Sequence, residues 1–359
     1  MARVRALDAS DIEAVAALLG ARLPSGPWSS NRSFLTDSLV TDPGSDPELP
    51  SLVAVDDDQR IVGFVASQPR SFSFAGRAVR GVLCSHLVVA REGAGTAAAL
   101  LLRTLLSGPQ EFTFTDTALD AVARAWRRLG GIPDPARSSD WLLALGPGRF
   151  ALRPLRRARA MVRAKAEREE AWRQLVPIPA VPLQGAGGRA IASAFPEPAE
   201  DISSDGATAA EIAENAAASD RGAALPRLHD EAGLAHAFNL IEATTGDPVV
   251  RRLVRREGAV IGWYAYQQLP GGTARALSIA APEPECDSVL ADLVAVARAS
   301  GNAILTGRIE PHLVSALGER LPALGLARRP LIHARDPEIA LALVSPGSRL
   351  SLLDGEWWA

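Results

Sequence analysis

Apolar residues recur at Ile12, Val15 and Leu19 on one face of a 3.6-residue period, just after Ser10 and Glu13, which stand three apart as a capping box. That pattern predicts a helix, preceded by a short strand in "RVRAL" and followed by a second helix over "NRSFLTDSLV". The pattern then changes. In "SLVAVDDDQRIVGFVASQPRSFSFAGRAVRGVLCSHLVVA" three apolar runs are separated by Asp-rich and Ala-Gly-Arg turns, which predicts an antiparallel meander. The last of these strands runs through closely spaced glycines into an Ala/Leu-rich helix from about Thr96 to Leu106. A strand "EFTFTDT", a helix "LDAVARAWRRL", a Gly-Gly stop and a strand "DWLLAL" complete the half, in the order βααβββαβαβ.

From Ala151 to Leu175 the chain reads as a helix carrying Arg153, Arg156, Arg157, Arg159, Arg163, Lys165, Arg168 and Arg173. Glu167, Glu169 and Glu170 dilute that charge, as in a solvated or domain-bridging helix. A Pro/Gly/Ala-rich stretch without periodicity follows, which reads as a linker. The second half then repeats the earlier grammar, with helix "DEAGLAHAFNLIEATTG", hairpin "VVRRLVRREGAVIGWYAYQQLPGG", strand "TARALSIAA", helix "DSVLADLVAVARASG", strand "NAILTGRIE", helix "PHLVSALGERL" and strand "RPLIHA". Two similar orders in one chain predict an internal duplication. The expected organisation is a domain over 1–150, a basic helix and linker over 151–205, and a second domain over 206–359.

Composition narrows the function classes. A length of 359 residues exceeds one ordinary core, and a net charge of −3 gives no global attraction to nucleic acid or an anionic membrane. No uncharged run approaches the roughly 20 residues that a membrane span needs, so no membrane insertion is expected. Cys84 and Cys286 stand about 200 positions apart, which suits a reducing compartment, and a cytoplasmic location is expected. His229, His236, His312 and His333 are scattered and form no metal-ligand spacing, so no metal is expected.

The turn "EGAGTA" opens a helix, and a helix start exposes unpaired N–H groups that hold an anion without a cationic side chain. Gly93, Gly95 and Ala97 leave the amides of Ala94 to Ala97 unobstructed, in the manner of a pyrophosphate nest, and Thr96 adds a hydroxyl. A tight turn built of small residues for packing alone is the competing explanation. Three meander strands precede the turn, which disfavours a dinucleotide-binding βαβ unit.

Residues 1–147 resemble an acyltransferase domain of the GNAT superfamily, whose signature is an Arg/Gln-x-x-Gly-x-Gly/Ala loop between the fourth strand and third helix. Gly95 and Ala97 stand at the glycine and small-residue positions, and Glu92 stands where the family prefers Arg or Gln. "FTDTALDAVARAWRRLGG" is similar to a later family segment, with Gly131 replacing an aromatic and Trp126 where many members carry a tyrosine. The resemblance implies an α/β (α+β) fold of two GNAT-like domains, each a mixed, mostly antiparallel sheet flanked by helices. It implies acyl-coenzyme A, by default acetyl-CoA, between splayed fourth and fifth strands. The pantetheine would pair with the backbone of Leu87, Val88 and Val89, and the pyrophosphate would sit at Gly93, Ala94, Gly95, Thr96 and Ala97. The corresponding turn of the second half, "APEPECDSV", has prolines and acids and no glycine, so one cofactor site and a degenerate partner domain are expected.

For direct acyl transfer, His86 is a candidate general base, although a lone strand histidine is also a common core residue. Strand alternation puts Cys84 and His86 on one face and Ser85 on the other, with Cys84 as a packed thiol. The resemblance places Asp116, Thr117 and Asp120 where acceptor or thiolate contacts lie, and Asp120 also suits a helix cap. The only tyrosines, Tyr264 and Tyr266, fall in the second half, on strand positions that suit either a cleft or sheet packing. Trp357 and Trp358 are expected to dock on a domain or a partner, and Asp354 and Glu356 beside them could bind an amine. The combined expectation is an N-acyltransferase moving an acyl group from acyl-CoA to an amine or hydroxyl of a small metabolite, with a homodimer left open and no nucleic-acid partner. Two alternatives stand beside it: a catalytically inactive scaffold or ligand-binding protein, and transfer to a protein or peptide docked on the basic helix and terminal tryptophans.

Overall fold

The computed structural model describes residues 2–24, 26, 32–90, 94–145, 198–319, 323–326 and 328–358. The basic stretch 151–175, most of the linker, and Glu92 and Gly93 of the glycine turn lie outside the described residues. The first half runs β1 (Arg3–Ala6), α1 (Ile12–Arg22), α2 (Arg32–Leu39), β2 (Leu52–Val55), β3 (Ile61–Phe74), β4 (Arg77–Val89), α3 (Ala94–Leu106), β5 (Phe112–Thr115), α4 (Asp120–Arg128), β6 (Ile132–Pro133) and β7 (Ser139–Ala144). The capping box before α1 is built two residues earlier than expected, on Asp8 and Asp11. Asp8 and Asp11 cap each other's backbone across a 3₁₀ turn, and Ser10 donates its hydroxyl to Asp8.

The second half runs β8 (Ile202–Gly206), α5 (Ala209–Ser219), α6 (Glu231–Thr245), β9 (Val249–Arg256), β10 (Ala259–Leu269), β11 (Thr273–Ala280), α7 (Cys286–Ala299), β12 (Ile304–Arg308), α8 (Val314–Glu319), β13 (Ala323–Leu326), β14 (Leu331–Ala334) and α9 (Pro337–Val344). β8 begins inside the stretch read as linker, because a short polar strand such as "ISSDG" has no apolar period to reveal it. α5 is announced by a Thr208/Glu211 capping box, and α6 ends at Gly246 with φ +74°, a left-handed stop that glycine adopts without strain.

The two seven-stranded sheets share one plan. The first is ordered β1-β2-β3-β4-β5-β14-β6 and the second β8-β9-β10-β11-β12-β7-β13. In each sheet the fourth and fifth strands pair in parallel and the sixth lies antiparallel to its neighbours. The sixth position is exchanged. "DWLLAL" does not close its own half: β7 inserts between β12 and β13, and β14 returns the exchange between β5 and β6.

The helices α1, α2, α5 and α6 lie between the sheets, where Phe34, Phe64, Phe238, Trp263 and Trp357 share one core. The outer face of the first sheet is covered by α3 and α4, and that of the second by α7 and α8. At the crossing into β7, the fully buried Arg137 donates to Asp134 (2.7 Å), to the carbonyls of Leu343 and Leu350, and to Ser348. One guanidinium thus ties the exchange to the C-terminal segment. Among the described residues, no helix is long and apolar enough to cross a membrane.

Candidate active site

β4 and β5 pair only from Gly81 to Leu83 against Phe112 to Phe114. Gly81 is needed there, since a Cβ would lie 2.3 Å from the Phe112 ring. Beyond Leu83 the two strands separate, leaving one edge of β4 without a strand partner among the described residues. Ala90 N–H donates to Val62, so by alternation the amides of Leu87 and Val89 face away from β3, toward the gap, while that of Val88 faces β3.

The separation starts at a bulge. The β3–β4 register steps from Ala66↔Ser85 to Phe64↔Val88, and His86 takes φ +56°, a left-handed value uncommon for a side-chain-bearing residue. The bulge corrects the alternation expected from sequence. Cys84 packs under α3 and α4, whereas His86 turns to the opposite face, with Ser85 Oγ 2.7 Å from its Nδ1 and Trp358 stacked on its ring at 5.1 Å. Burial pushes the His86 pKa down to about 3, so the ring is neutral at physiological pH and a weak proton acceptor. Burial also drives the Cys84 thiol far above its usual range, leaving no reactive thiolate.

The C-terminal segment crosses the far side of the gap. The Asp116 carboxylate, just past β5, pairs with Arg308 at 2.6 Å and accepts the Glu356 N–H at 2.8 Å. Gly355 allows this approach, because a Cβ there would sit 2.0 Å from Asp116 Oδ2. Thr117 donates its hydroxyl to Glu356 Oε2 at 2.5 Å. Burial first, and then the neighbouring Asp116 charge, hold the Glu356 carboxyl up to about 7, and its charge in turn raises the Cys84 pKa. A carboxyl held up toward neutrality and bonded to Thr117 just past β5 is suited to proton transfer. Glu356 was visible in the sequence only as an acid beside paired tryptophans.

The remaining candidates separate by what they touch. Asp116 is held by Arg308 and the Glu356 amide, and Asp120, in the first turn of α4, pairs with Arg329 at 2.5 Å. Gly95 and Thr96 are exposed in the first turn of α3, Ala97 packs inward, and a Cβ at Gly95 would meet nothing within 4 Å. Gly95 thus faces open space. The corresponding helix start in the second half is occupied: Arg256 pairs with Glu285 at 2.7 Å and donates to Ser288. Tyr264 donates to Asp292 at 2.7 Å and Tyr266 lies by Ser300, so both tyrosines pack under α7. Trp357 and Trp358 dock on Phe34, with ring centroids 6.2 and 5.6 Å away.

Trp126 is a fully buried ring with no hydroxyl. It also explains Gly131, where a Cβ would lie 1.6 Å from the indole. Gly131→Ala is expected to destabilise the chain by about 1–3 kcal/mol through overpacking, read as a lower urea midpoint at unchanged slope. An unchanged midpoint would show that the ring moves freely.

By sequence, no protein-family model and no curated protein matches the chain. By structure it is similar to a GCN5-related N-acetyltransferase from Anabaena variabilis ATCC 29413, at 11% identity and TM-score 0.61 over 94% of this chain and 74% of that one. A conserved protein from Enterococcus faecalis V583, described as a probable N-acyltransferase, aligns at 9% identity and TM-score 0.59 over 93% and 72%. A GCN5-related N-acetyltransferase from Kribbella flavida aligns at 13% identity and TM-score 0.57 over 93% and 72%. At such identities the likeness establishes architecture, and activity rests on the residues of the site. The chain therefore has the fold of the GCN5-related N-acetyltransferases, extending through both of its sheets.

Proposed function

We propose that the chain is an acyl-CoA-dependent acyltransferase, with its one cofactor site in the first half and an amine or hydroxyl of a small molecule as acceptor. The observation that carries this reading is the gap between β4 and β5, followed by a first turn of α3 in which Gly95 and Thr96 are exposed. The amides of Leu87 and Val89 suit a pantetheine arm, with Val88 holding the strand between them to β3. Those of Ala94, Gly95, Thr96 and Ala97 suit phosphates. When bound, acyl-CoA supplies an acyl carbon already activated by a thiolate leaving group.

Glu356 then accepts the proton that the acceptor nitrogen or oxygen loses as its bond to the acyl carbon forms and the carbon–sulfur bond breaks. The thiolate takes its proton from solvent. Thr117 and the Asp116–Arg308 pair position Glu356. His86, neutral and stacked, shapes the bulge and is a weaker base than Glu356, and Asp120 is engaged in its ion pair with Arg329. A cytoplasmic location fits the two free cysteines, Cys84 and Cys286.

Calorimetric titration with acetyl-CoA tests the reading. The wild type is expected to release heat, and Gly95→Glu, which has room for its side chain, is expected to bind at least about tenfold more weakly because a carboxylate opposes the phosphates. Absence of heat from the wild type favours a scaffold without catalysis. Undiminished heat from the variant puts the coenzyme elsewhere.

A further inference from the structure

A cavity of about 70 Å³ lies between the two halves. Its first-half wall is Asp42 with Gln68 to Ser71, α6 supplies Leu234, His236 and Leu240, and Leu353, Asp354 and Trp357 of the C-terminal segment complete it. Gln68 of this wall reaches toward the bulge of β4. Gln68 Oε1 accepts from Ser85 Oγ at 3.5 Å, and Ser85 in turn bonds His86 at the bulge.

The lining is charged in both signs. Arg70 pairs with Asp42 at 3.4 Å, and Arg227 pairs with Asp354 at 2.9 Å. The guanidiniums are near enough that Arg70 helps to lower the Arg227 pKa, after the larger effect of burial. Burial and Arg227 also hold His229 down to about 4, so its imidazole is neutral. Among the described residues, His236 Nε2 is buried with no hydrogen-bond partner, an unspent polar group at the cavity wall.

These groups discriminate by charge. A polyanion would meet Asp42, Asp230 and Asp354, and a polycation would meet two guanidiniums. A molecule with one charge of each sign satisfies both kinds of partner, and the small volume limits its size. Resting on the acyltransferase reading above, we propose that this cavity is the acceptor subsite and takes a small zwitterionic amine of the α-amino-acid type. Its carboxylate faces Arg70 and Arg227 and its ammonium faces the carboxylates beside them; the ammonium gives one proton to solvent to free its lone pair, and the resulting amine gives the second to Glu356 as it is acylated.

The test offers the full chain each of the twenty standard L-amino acids, with ethanolamine and acetate as single-charge controls. Calorimetry reads binding, and thiol release from acetyl-CoA reads transfer. At least one amino acid is expected to bind and to speed thiol release, with neither control doing so. Arg70→Gln and His236→Leu are each expected to weaken that binding about tenfold or more while leaving acetyl-CoA heat unchanged. Two variants on different elements guard against one that misfolds. The proposal is overturned if no amino acid binds, if ethanolamine binds as tightly, or if both variants bind the amino acid like the wild type. Acetyl-CoA heat without amino-acid binding sinks this assignment alone, whereas no acetyl-CoA heat sinks the transferase reading beneath it.

Discussion

Arg308→Met is expected to lower the unfolding free energy by about 3–5 kcal/mol, the usual cost of leaving one member of a buried ion pair without its partner. Arg308 and Asp116 have side chains 0% and 1% exposed, and Arg308 also donates to the Leu350 carbonyl at 2.9 Å. The pair joins β12 of the second sheet to the chain leaving β5 of the first, and Asp116 in turn holds the Glu356 amide. Loss of the guanidinium therefore exposes three groups to desolvation without compensation: the Asp116 carboxylate, the Leu350 carbonyl and, through slackened geometry, the Glu356 N–H. Urea unfolding at constant slope is the measurement. The double variant Arg308→Met/Asp116→Asn is expected to be more stable than Arg308→Met, because no lone charge remains buried. A single variant as stable as wild type would show that water reaches Asp116.

Glu356→Gln is expected to reduce kcat by about 10²–10⁴-fold with KM for acetyl-CoA little changed, and to abolish the limb of the pH–rate profile near 7. Stability supplies an independent readout. The folded Glu356 binds its proton more tightly than the unfolded one, so its stabilising contribution is full below about 4.5 and is lost as pH rises through about 7. At 1.36 kcal/mol per unit the loss is about 3 kcal/mol, and the glutamine variant lacks it. Glu310 and Asp220 are also held up to about 7 by burial, so the variant retains a falling trend over the same window and only the difference between the two proteins reports Glu356. A variant with unaltered kcat and pH profile would remove Glu356 from the chemistry.

Much of the local structure was legible because it depends on neighbours in sequence. The apolar period of α1, the Asp-rich turn between β2 and β3, the Ala-Gly-Arg turn between β3 and β4, and the glycine-led start of α3 each carry their own signal. The repeat of element order also anticipated two sheets of one plan. His86 was found as a candidate, but its side was misassigned: a period of two holds only while the backbone stays extended, and its positive φ breaks that condition. Glu356 left no comparable trace, since its environment is assembled from Asp116, Thr117 and Arg308, separated from it by up to hundreds of positions.

By itself, then, the amino-acid order determined most of the helices and strands, that the plan occurs twice, and that glycine opens one of the two corresponding helices while prolines and acids open the other; the short elements β8, α5, β13 and α9 were not read from it. The tertiary structure alone decided that β7 and β14 trade sheets, that the C-terminal acids enter the first half, and that one carboxyl titrates near neutrality. The physical reason is range. Helix periods, turns and caps are settled within a few residues, whereas strand partners and the desolvation of a charge depend on what distant segments place beside it.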